Sequence, residues 1–309
     1  MRDVIVVTGA GGLLGSRVVP LLRRSAPRAH LIAVVRGERV APGFGTGVEM
    51  IGGDLRLAKT WRRLPAAVTH VIHLAARIPW DPRHAQRASV VTDNLAPIAH
   101  LLAASRAWPD LRQVVLGSSV SVYGPSRDRL AESSPTRPTT VYGAAKLAGE
   151  HLVGVLRQRG VAVASLRFSS LYGAGQFQGT VLPLLAARAR AGLTLELFNA
   201  GRVQDFLHVD DAAHATWLAC RHRARGVFNI GAGRSVSMLA LARAILRHFN
   251  TRGMSRIVEV DTDSAHDPGT RLNIGRARRE LLFRPRVGLD AGLRRLARER
   301  AVAGRARRS

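Results

Sequence analysis

Cysteine is almost missing from this 309-residue chain: Cys220 stands alone, so no internal disulfide can form and no cysteine-based metal site can be assembled. That scarcity fits a reducing compartment. Lysine is nearly as rare, since of the 47 basic residues only Lys59 and Lys146 are lysine and the other 45 are arginine. Acids number 21, which leaves a formal net charge of +26, and aromatics make up 5%. Such an excess invites a nucleic-acid or membrane-surface reading. The arginines, however, are spread along the chain without interleaved aromatics or a nucleic-acid motif, so nucleic acid is set aside as a partner. The densest stretch, Arg294, Arg295, Arg298, Arg300, Arg305, Arg307 and Arg308, reads as a solvated helix face with a frayed end. No apolar run reaches the roughly 18 residues of a membrane span, and the chain runs straight into Val4-Ile5-Val6-Val7. The expectation is a cytoplasmic protein with no signal peptide and no membrane partner.

What is plentiful is apolar sequence, 46% of the chain, enough for a sizeable core. Short β-rich runs at Val4–Thr8, Leu31–Val35, Val68–Leu74, Val114–Gly117 and Val161–Phe168 alternate with helical patterns at Leu13–Arg24, Ala88–Ala107 and Tyr142–Arg159. Alternation of this kind predicts an α/β fold, a doubly wound parallel Rossmann sheet. Pro20 inside the first helix should bend it. After Tyr172 the pattern loosens, and Gly173-Ala174-Gly175 breaks it. Val209–Cys220 and Val227–Ile230 read as elements that return to the main sheet. The expected organisation is a dinucleotide-binding domain of residues 1–172 plus about 206–231, with a smaller, discontinuous C-terminal substrate-binding region of 173–205 and 232–309.

The first strand is followed at once by Thr8-Gly9-Ala10-Gly11-Gly12-Leu13-Leu14-Gly15, where Gly9, Gly12 and Gly15 are spaced G-x-x-G-x-x-G at the opening of a helix. A missing Cβ allows the tight turn and lets backbone N–H groups approach a pyrophosphate, while the helix N-terminus favours its charge. About twenty residues on, an acid would accept from a ribose 2′-OH and an arginine would receive a 2′-phosphate. The strand ends Val34-Val35-Arg36-Gly37, without an acid, so Arg36 favours NADP(H), with NAD(H) the alternative.

Tyr142-Gly143-Ala144-Ala145-Lys146 sets a phenol and an ammonium four apart on one helix face. A neighbouring cation favours phenolate and should bring Tyr142 toward working pH as a general acid or base for an alcohol/ketone couple. Upstream, Gly117-Ser118-Ser119-Val120-Ser121-Val122-Tyr123 ends an apolar strand, and Ser119 is the hydroxyl chosen to bond a substrate oxygen.

Together these residues resemble the NAD(P)-dependent epimerase/dehydratase branch of the extended short-chain dehydrogenases/reductases. Gly53-Asp54-Leu55 looks like the segment whose acid reaches the adenine, His73-Leu74-Ala75-Ala76 like the cofactor-lining strand end, and Asn94 stands where the family has a helix asparagine. Arg167-Phe168-Ser169-Ser170-Leu171-Tyr172-Gly173 is similar to the stretch that passes the nicotinamide, and the likeness continues through Asp205–Asp211 and Phe228–Gly231. The resemblance implies that Ser119, Tyr142 and Lys146 are catalytic and that Lys146 also holds the nicotinamide ribose. It implies cofactor contacts from Gly9, Gly12, Leu13, Leu14, Gly15, Arg36, Asp54, Leu55, Leu74, Ala75, Ala76, Asn94, Phe168 and Ser169. It also implies a homodimer built on the helices around Asn94 and Tyr142.

Departures narrow the expectation. Val120 and Ser121 stand where sugar 4,6-dehydratases carry an Asp-Glu pair, which argues against dehydration. Ser170, Gln204 and Asp267 stand where many nucleotide-sugar enzymes of the family place Asn, Arg and Arg, so Arg202 or Arg271 would have to compensate. The substrate candidates are accordingly Ser119, Ser121, Ser170, Arg202, Gln204 and Arg271. His73 and His208 are read as structural, with no second ligand at metal spacing. The leading expectation is an oxidoreductase that moves hydride at a carbinol or keto carbon, as a nucleotide-sugar 4-epimerase or 4-ketoreductase. An NADPH-dependent reductase of a non-nucleotide ketone, aromatic or polyketide-like, is the alternative. A dinucleotide-sensing regulator comes third, since it would need none of Ser119, Tyr142 and Lys146.

Overall fold

The computed structural model describes residues 2–37, 44–79, 87–250, 253–260 and 267–306, without the side chains of 300–306. Its strands are β1 (Val4–Thr8), β2 (His30–Val35), β3 (Val48–Gly52), β4 (His70–His73), β5 (Gln113–Ser119), β6 (Arg129–Leu130), β7 (Ala162–Phe168), β8 (Ser170–Tyr172), β9 (Leu195–Leu197), β10 (Val203–His208), β11 (Gly226–Ile230), β12 (Ser235–Ser237), β13 (Ile257–Glu259) and β14 (Arg271–Leu272). The helices are α1 (Gly15–Ser25), α2 (Ala58–Trp61), α3 (Ala88–Ala104), α4 (Val141–Gly154), α5 (Val181–Ala191), α6 (Val209–Arg221), α7 (Met238–Phe249), α8 (Gly275–Glu280) and α9 (Leu289–Ala306).

Seven strands form one parallel sheet in the order β11-β7-β5-β4-β1-β2-β3. Its inner strands are buried on nearly every residue because both faces are covered. Ile5 and Val7 pack with Val18, Val19 and Leu22 of α1 and with the alanines of α6. Val4 and Val6, pointing the other way, pack with Ile98 and Leu101 of α3 and Val153 of α4. The period of two along β1 therefore assigns each residue to one of two cores, and a register slip of one would exchange them.

This is the doubly wound α/β architecture that the alternation predicts. The differences lie at helix ends. The first helix starts at Gly15, two residues later than its apolar pattern suggests, because Leu13 and Leu14 belong to the turn that closes with the Gly12 N–H on the Gly9 carbonyl at 3.0 Å. Pro20 lies inside α1. The helices expected to reach Ala107 and Arg159 stop at Ala104 and Gly154 and tighten into 3-10 turns, the second ending at Gly160 with φ +77°. At the other end of α4, the Thr140 side chain accepts the Gly143 N–H at 3.0 Å, so the helix opens one residue before Tyr142.

Val209–Cys220 is helix, part of α6 on the face of the sheet, whereas β11 is a strand within it. Cys220 is buried there, and burial pushes its thiol up to about 12, which makes it inert. A third core, with Leu182, Leu185, Leu241 and Ile245, lies under α5, α7 and α9, beside a small sheet ordered β12-β10-β8. Among the described residues no helix is long and apolar enough to cross a membrane. Arg307 and Arg308 of the basic tail, and the side chains of Arg300 and Arg305, lie outside the described residues.

The segment before β14 reaches β10 at one tight point. Gly269 has φ +83°, a Cβ placed on it would lie 1.8 Å from the Val203 carbonyl oxygen, and Val203 bonds the Pro268 carbonyl and the Thr270 N–H on either side. Gly269→Ala should therefore lower the melting temperature by about 5 °C or more, as scanning calorimetry would measure. An unchanged transition would mean that this contact does not hold the segment.

Candidate functional site

In a sheet of this order the chain runs from β1 outward to β3 and then returns to β4 on the other side of β1, which leaves a crevice beyond the carboxyl ends of β1 and β4. The glycine loop occupies that place. Gly9 has φ +68°, and a Cβ on it would come within 2.6 Å of the Ala75 nitrogen. A Cβ on Gly15 would lie 2.2 Å from the Gly9 carbonyl oxygen. Loop, helix start and the Leu74-Ala75 strand end are thus in backbone contact, a cradle that any side chain at Gly9 or Gly15 would fill. Its exposed Gly12 and the N-terminus of α1 fit the pyrophosphate of a dinucleotide.

Further along the edge, Arg36 is exposed after β2. Asp54 is engaged by Arg56, which binds both carboxylate oxygens through Nε and Nη2 and reaches Asp93 with Nη1 at 2.8 Å. Hydrogen bonds from Arg56 hold the Asp54 carboxyl below the usual range. Leu55 lies partly buried against the core on the α3 side. Asn94 is buried, and its amide donates to the carbonyls of Arg77 and Val90 and accepts the Arg77 N–H at 3.2 Å. Two of these hydrogen bonds go to Arg77, in the backbone that follows Ala75 and Ala76, so its direct role is in fixing that segment.

Ser119, Tyr142 and Lys146 come together where β5 ends and α4 begins. The Ser119 Oγ donates to Ser121 Oγ at 3.0 Å and accepts the Ser121 N–H at 3.1 Å. The Lys146 ammonium, buried, lies 5.8 Å from the centroid of the Tyr142 ring and donates to the Gly117 carbonyl at 2.8 Å. Phe168, paired with Ser119 across β5 and β7, is buried, as is Ser169.

The expectation that Lys146 lowers the Tyr142 pKa does not hold for the protein alone. Burial of the phenolic end raises it, with only a partial offset from the Ser119 hydroxyl, and burial lowers Lys146 to about 8. Desolvation penalises both charged forms, and the ammonium is directed at a backbone carbonyl.

Ser170, Gln204 and Arg202 also converge. Gln204 Nε2 donates to Ser170 Oγ, and Arg202 reaches Gln204 Oε1 through Nη1 at 2.9 Å and Asp267 Oδ2 through Nε at 2.7 Å. Arg271 does not join them: its Nη1 donates to the Arg127 carbonyl at 3.2 Å. Sequence reasoning gave no role to Glu150, one turn beyond Lys146, which accepts from Ser118 and Arg167 inside the protein. The i+4 spacing from Lys146 was its one available signal.

His73, next to Leu74, shares a hydrogen bond of 2.8 Å between Nδ1 and the Thr8 hydroxyl. Among the described residues no group of three or more His, Cys, Asp or Glu gathers as a metal site. A cavity of about 590 Å³ on the other flank of α4, lined by Glu132, Thr136, His151, Arg157 and Ser165, includes neither the glycine loop nor Tyr142.

The NAD dependent epimerase/dehydratase family matches residues 5–231. The chain belongs to that family, whose members are enzymes of the extended short-chain dehydrogenase/reductase type. It is similar to UDP-glucuronate 4-epimerase 1 of Arabidopsis thaliana, 26% identical over 95% of this chain and 76% of that protein. It is also similar to dTDP-glucose 4,6-dehydratase of Streptomyces antibioticus, 29% identical over 94% of this chain and 90% of the other. Among solved structures, UDP-glucose 4-epimerase of Thermus thermophilus in complex with NAD superposes with a TM-score of 0.80 at 26% identity, covering 96% and 98% of the two chains.

Burial also pushes His73 down to about 3. In the unfolded chain this imidazole takes a proton near 6.5, in the folded protein only near 3, so the stability it contributes is complete above 6.5 and lost as pH falls from 6.5 to 3. Urea denaturation should show His73→Asn, which keeps a partner for Thr8, losing less stability over that window than the natural chain. Parallel curves would exclude His73 from the acid sensitivity.

Proposed function

We propose that this chain is a nucleotide-sugar 4-epimerase acting on a UDP- or TDP-linked hexose. The observation that carries this reading is the meeting of Ser119, Tyr142 and Lys146 at the end of β5, on the same sheet edge as the glycine cradle. The nicotinamide supplies the hydride acceptor and donor. Lys146 turns from the Gly117 carbonyl toward ribose and phenol, so that Tyr142 gives up its own proton to solvent. As phenolate it removes the proton of the sugar hydroxyl and returns it after the ketone has turned in the site, while Ser119 steadies the same oxygen by hydrogen bonding. Gly9, Gly12 and Gly15 hold the pyrophosphate. Leu13, Leu14, Leu74, Ala75, Ala76, Phe168 and Ser169 line the cofactor, and Asp54 and Leu55 face the adenine. The cofactor-binding unit is 1–172 with about 206–231, and the remainder holds the nucleotide sugar through Gln204 and Arg202, joined by Ser170 of the first unit and with Arg271 at its margin.

The same proposal includes a homodimer through α3 and α4, supported by exposed Val91, Leu152 and Val155 on and just beyond those helices, and a cytoplasmic location. A second reading, a reductase that consumes NADPH on a non-nucleotide ketone, draws on two observations. Arg36 is exposed where no acid stands, and the Arg202 charge is offset by Asp267.

Incubation with UDP-glucose or TDP-glucose and NAD should yield the 4-epimer without net NADH, and Tyr142→Phe should lose turnover by about a hundredfold or more while still binding cofactor. Absence of epimer from any UDP or TDP hexose, together with no thermal shift by UDP, would transfer the assignment to the reductase. Calorimetric titration addresses the cofactor: NADP(H) should bind more tightly than NAD(H), and Arg36→Asp should reverse the order. A natural chain that prefers NAD(H) removes Arg36 from cofactor choice.

A further inference from the structure

Three elements carry the proposed site: β5 ends on Ser119, α4 bears Tyr142 and Lys146, and β7 ends at Phe168 before Ser169. One carboxylate is bonded to two of them from the third. Glu150 of α4 accepts the Ser118 hydroxyl on Oε1 at 2.5 Å, Arg167 Nε on Oε1 at 3.0 Å and Arg167 Nη2 on Oε2 at 2.7 Å. Ser118 and Arg167 are direct partners across β5 and β7, so both strands turn the residue before their site residue onto the same point of the helix. The Arg167 and Glu150 side chains are only 5% and 6% exposed. A buried ion pair is a poor means of gaining stability, because apolar side chains of equal volume do as well or better once desolvation is counted. What it supplies that apolar packing does not is direction and a fixed charge.

We infer that Glu150 is a positioning residue for Lys146: its carboxylate locks α4 in register with the ends of β5 and β7 and supplies the counter-charge one helical turn from the ammonium. The inference rests on the reading of Lys146 as a site residue. The groups that face Lys146 are the Gly117 carbonyl on β5, Tyr142 and Glu150 on α4, and His73 on β4, with Arg167 of β7 behind Glu150. Burial and His73 provide no support for a positive charge at this place, whereas the Glu150 carboxylate does. Bidentate pairing of that carboxylate with the guanidinium, capped by the Ser118 hydroxyl, holds it in one place.

The chain's two lysines make the test direct. Lysine labelled with ¹³C at Cε gives two side-chain signals, and Lys59, exposed on α2, serves as reference for Lys146. In the full natural chain without added cofactor the Lys146 signal should titrate at about 8. Glu150→Gln should move that midpoint down by about one pH unit or more, a tenfold loss of proton affinity. A midpoint unchanged to within about 0.2 overturns the inference. If Glu150→Gln does not fold, Glu150→Asp decides: a carboxylate withdrawn by one methylene should lower the midpoint part of the way, and an unchanged value again overturns the role. Because this measurement needs no substrate, a chain that proves inactive on nucleotide sugars refutes the proposed reaction and leaves Glu150 to be judged on the titration alone. In an active chain, the alkaline limb of the kcat profile should shift with the Lys146 signal.

Discussion

The close approach of two backbones at the crevice between β1 and β4 is the constraint on which the site depends. Gly9 and the Leu74-Ala75 peptide are packed so closely that no side chain fits between them, and Gly15 rests against the Gly9 carbonyl in the same way. Together these contacts set the start of α1 directly over the carboxyl edge of the sheet, where the positive end of its dipole favours an anion. The sheet order makes that edge a crevice, and the buried Asn94 amide holds the backbone at Arg77, just beyond Ala76. Every residue proposed to meet the cofactor is placed relative to these few contacts.

Around that cradle, desolvation is stronger than local charge pairing. Burial raises Tyr142, lowers Lys146 and lowers His73, each toward its neutral form. Burial favours the protonated phenol, and the Lys146 ammonium is directed at the Gly117 carbonyl. At Lys146 the Glu150 carboxylate, fixed by Arg167, opposes burial.

Around β10 arginine is used differently. Arg202 is tied on one side to Asp267 and on the other to Gln204, and Gln204 continues to Ser170, so four residues from three segments form one hydrogen-bonded chain. Gly269 fixes the segment carrying Asp267 against β10, and the Gly269 N–H also donates to the Asp267 carboxylate at 2.8 Å. A guanidinium held in this way offers its remaining N–H groups at a defined angle, though with its charge partly balanced.

The sequence by itself determined the doubly wound sheet, because the period of two in β1 and the 3.6-residue period in the helices each encode which face is covered. It also determined the glycine loop and the Tyr142 and Lys146 pair, whose members stand close together in the sequence. Helix ends were less legible: a 3-10 turn such as 155–159 carries the same apolar spacing as the helix before it. What only the tertiary structure decided were the pairings across long separations. Asn94 with Arg77, Arg202 with Asp267, and Glu150 with Ser118 and Arg167 join residues whose intervals in the chain carry no periodic signal. The protonation of Tyr142 belongs to the same class, since the i+4 spacing reveals the neighbouring cation but burial, which decides the outcome, exists only after the chain has folded.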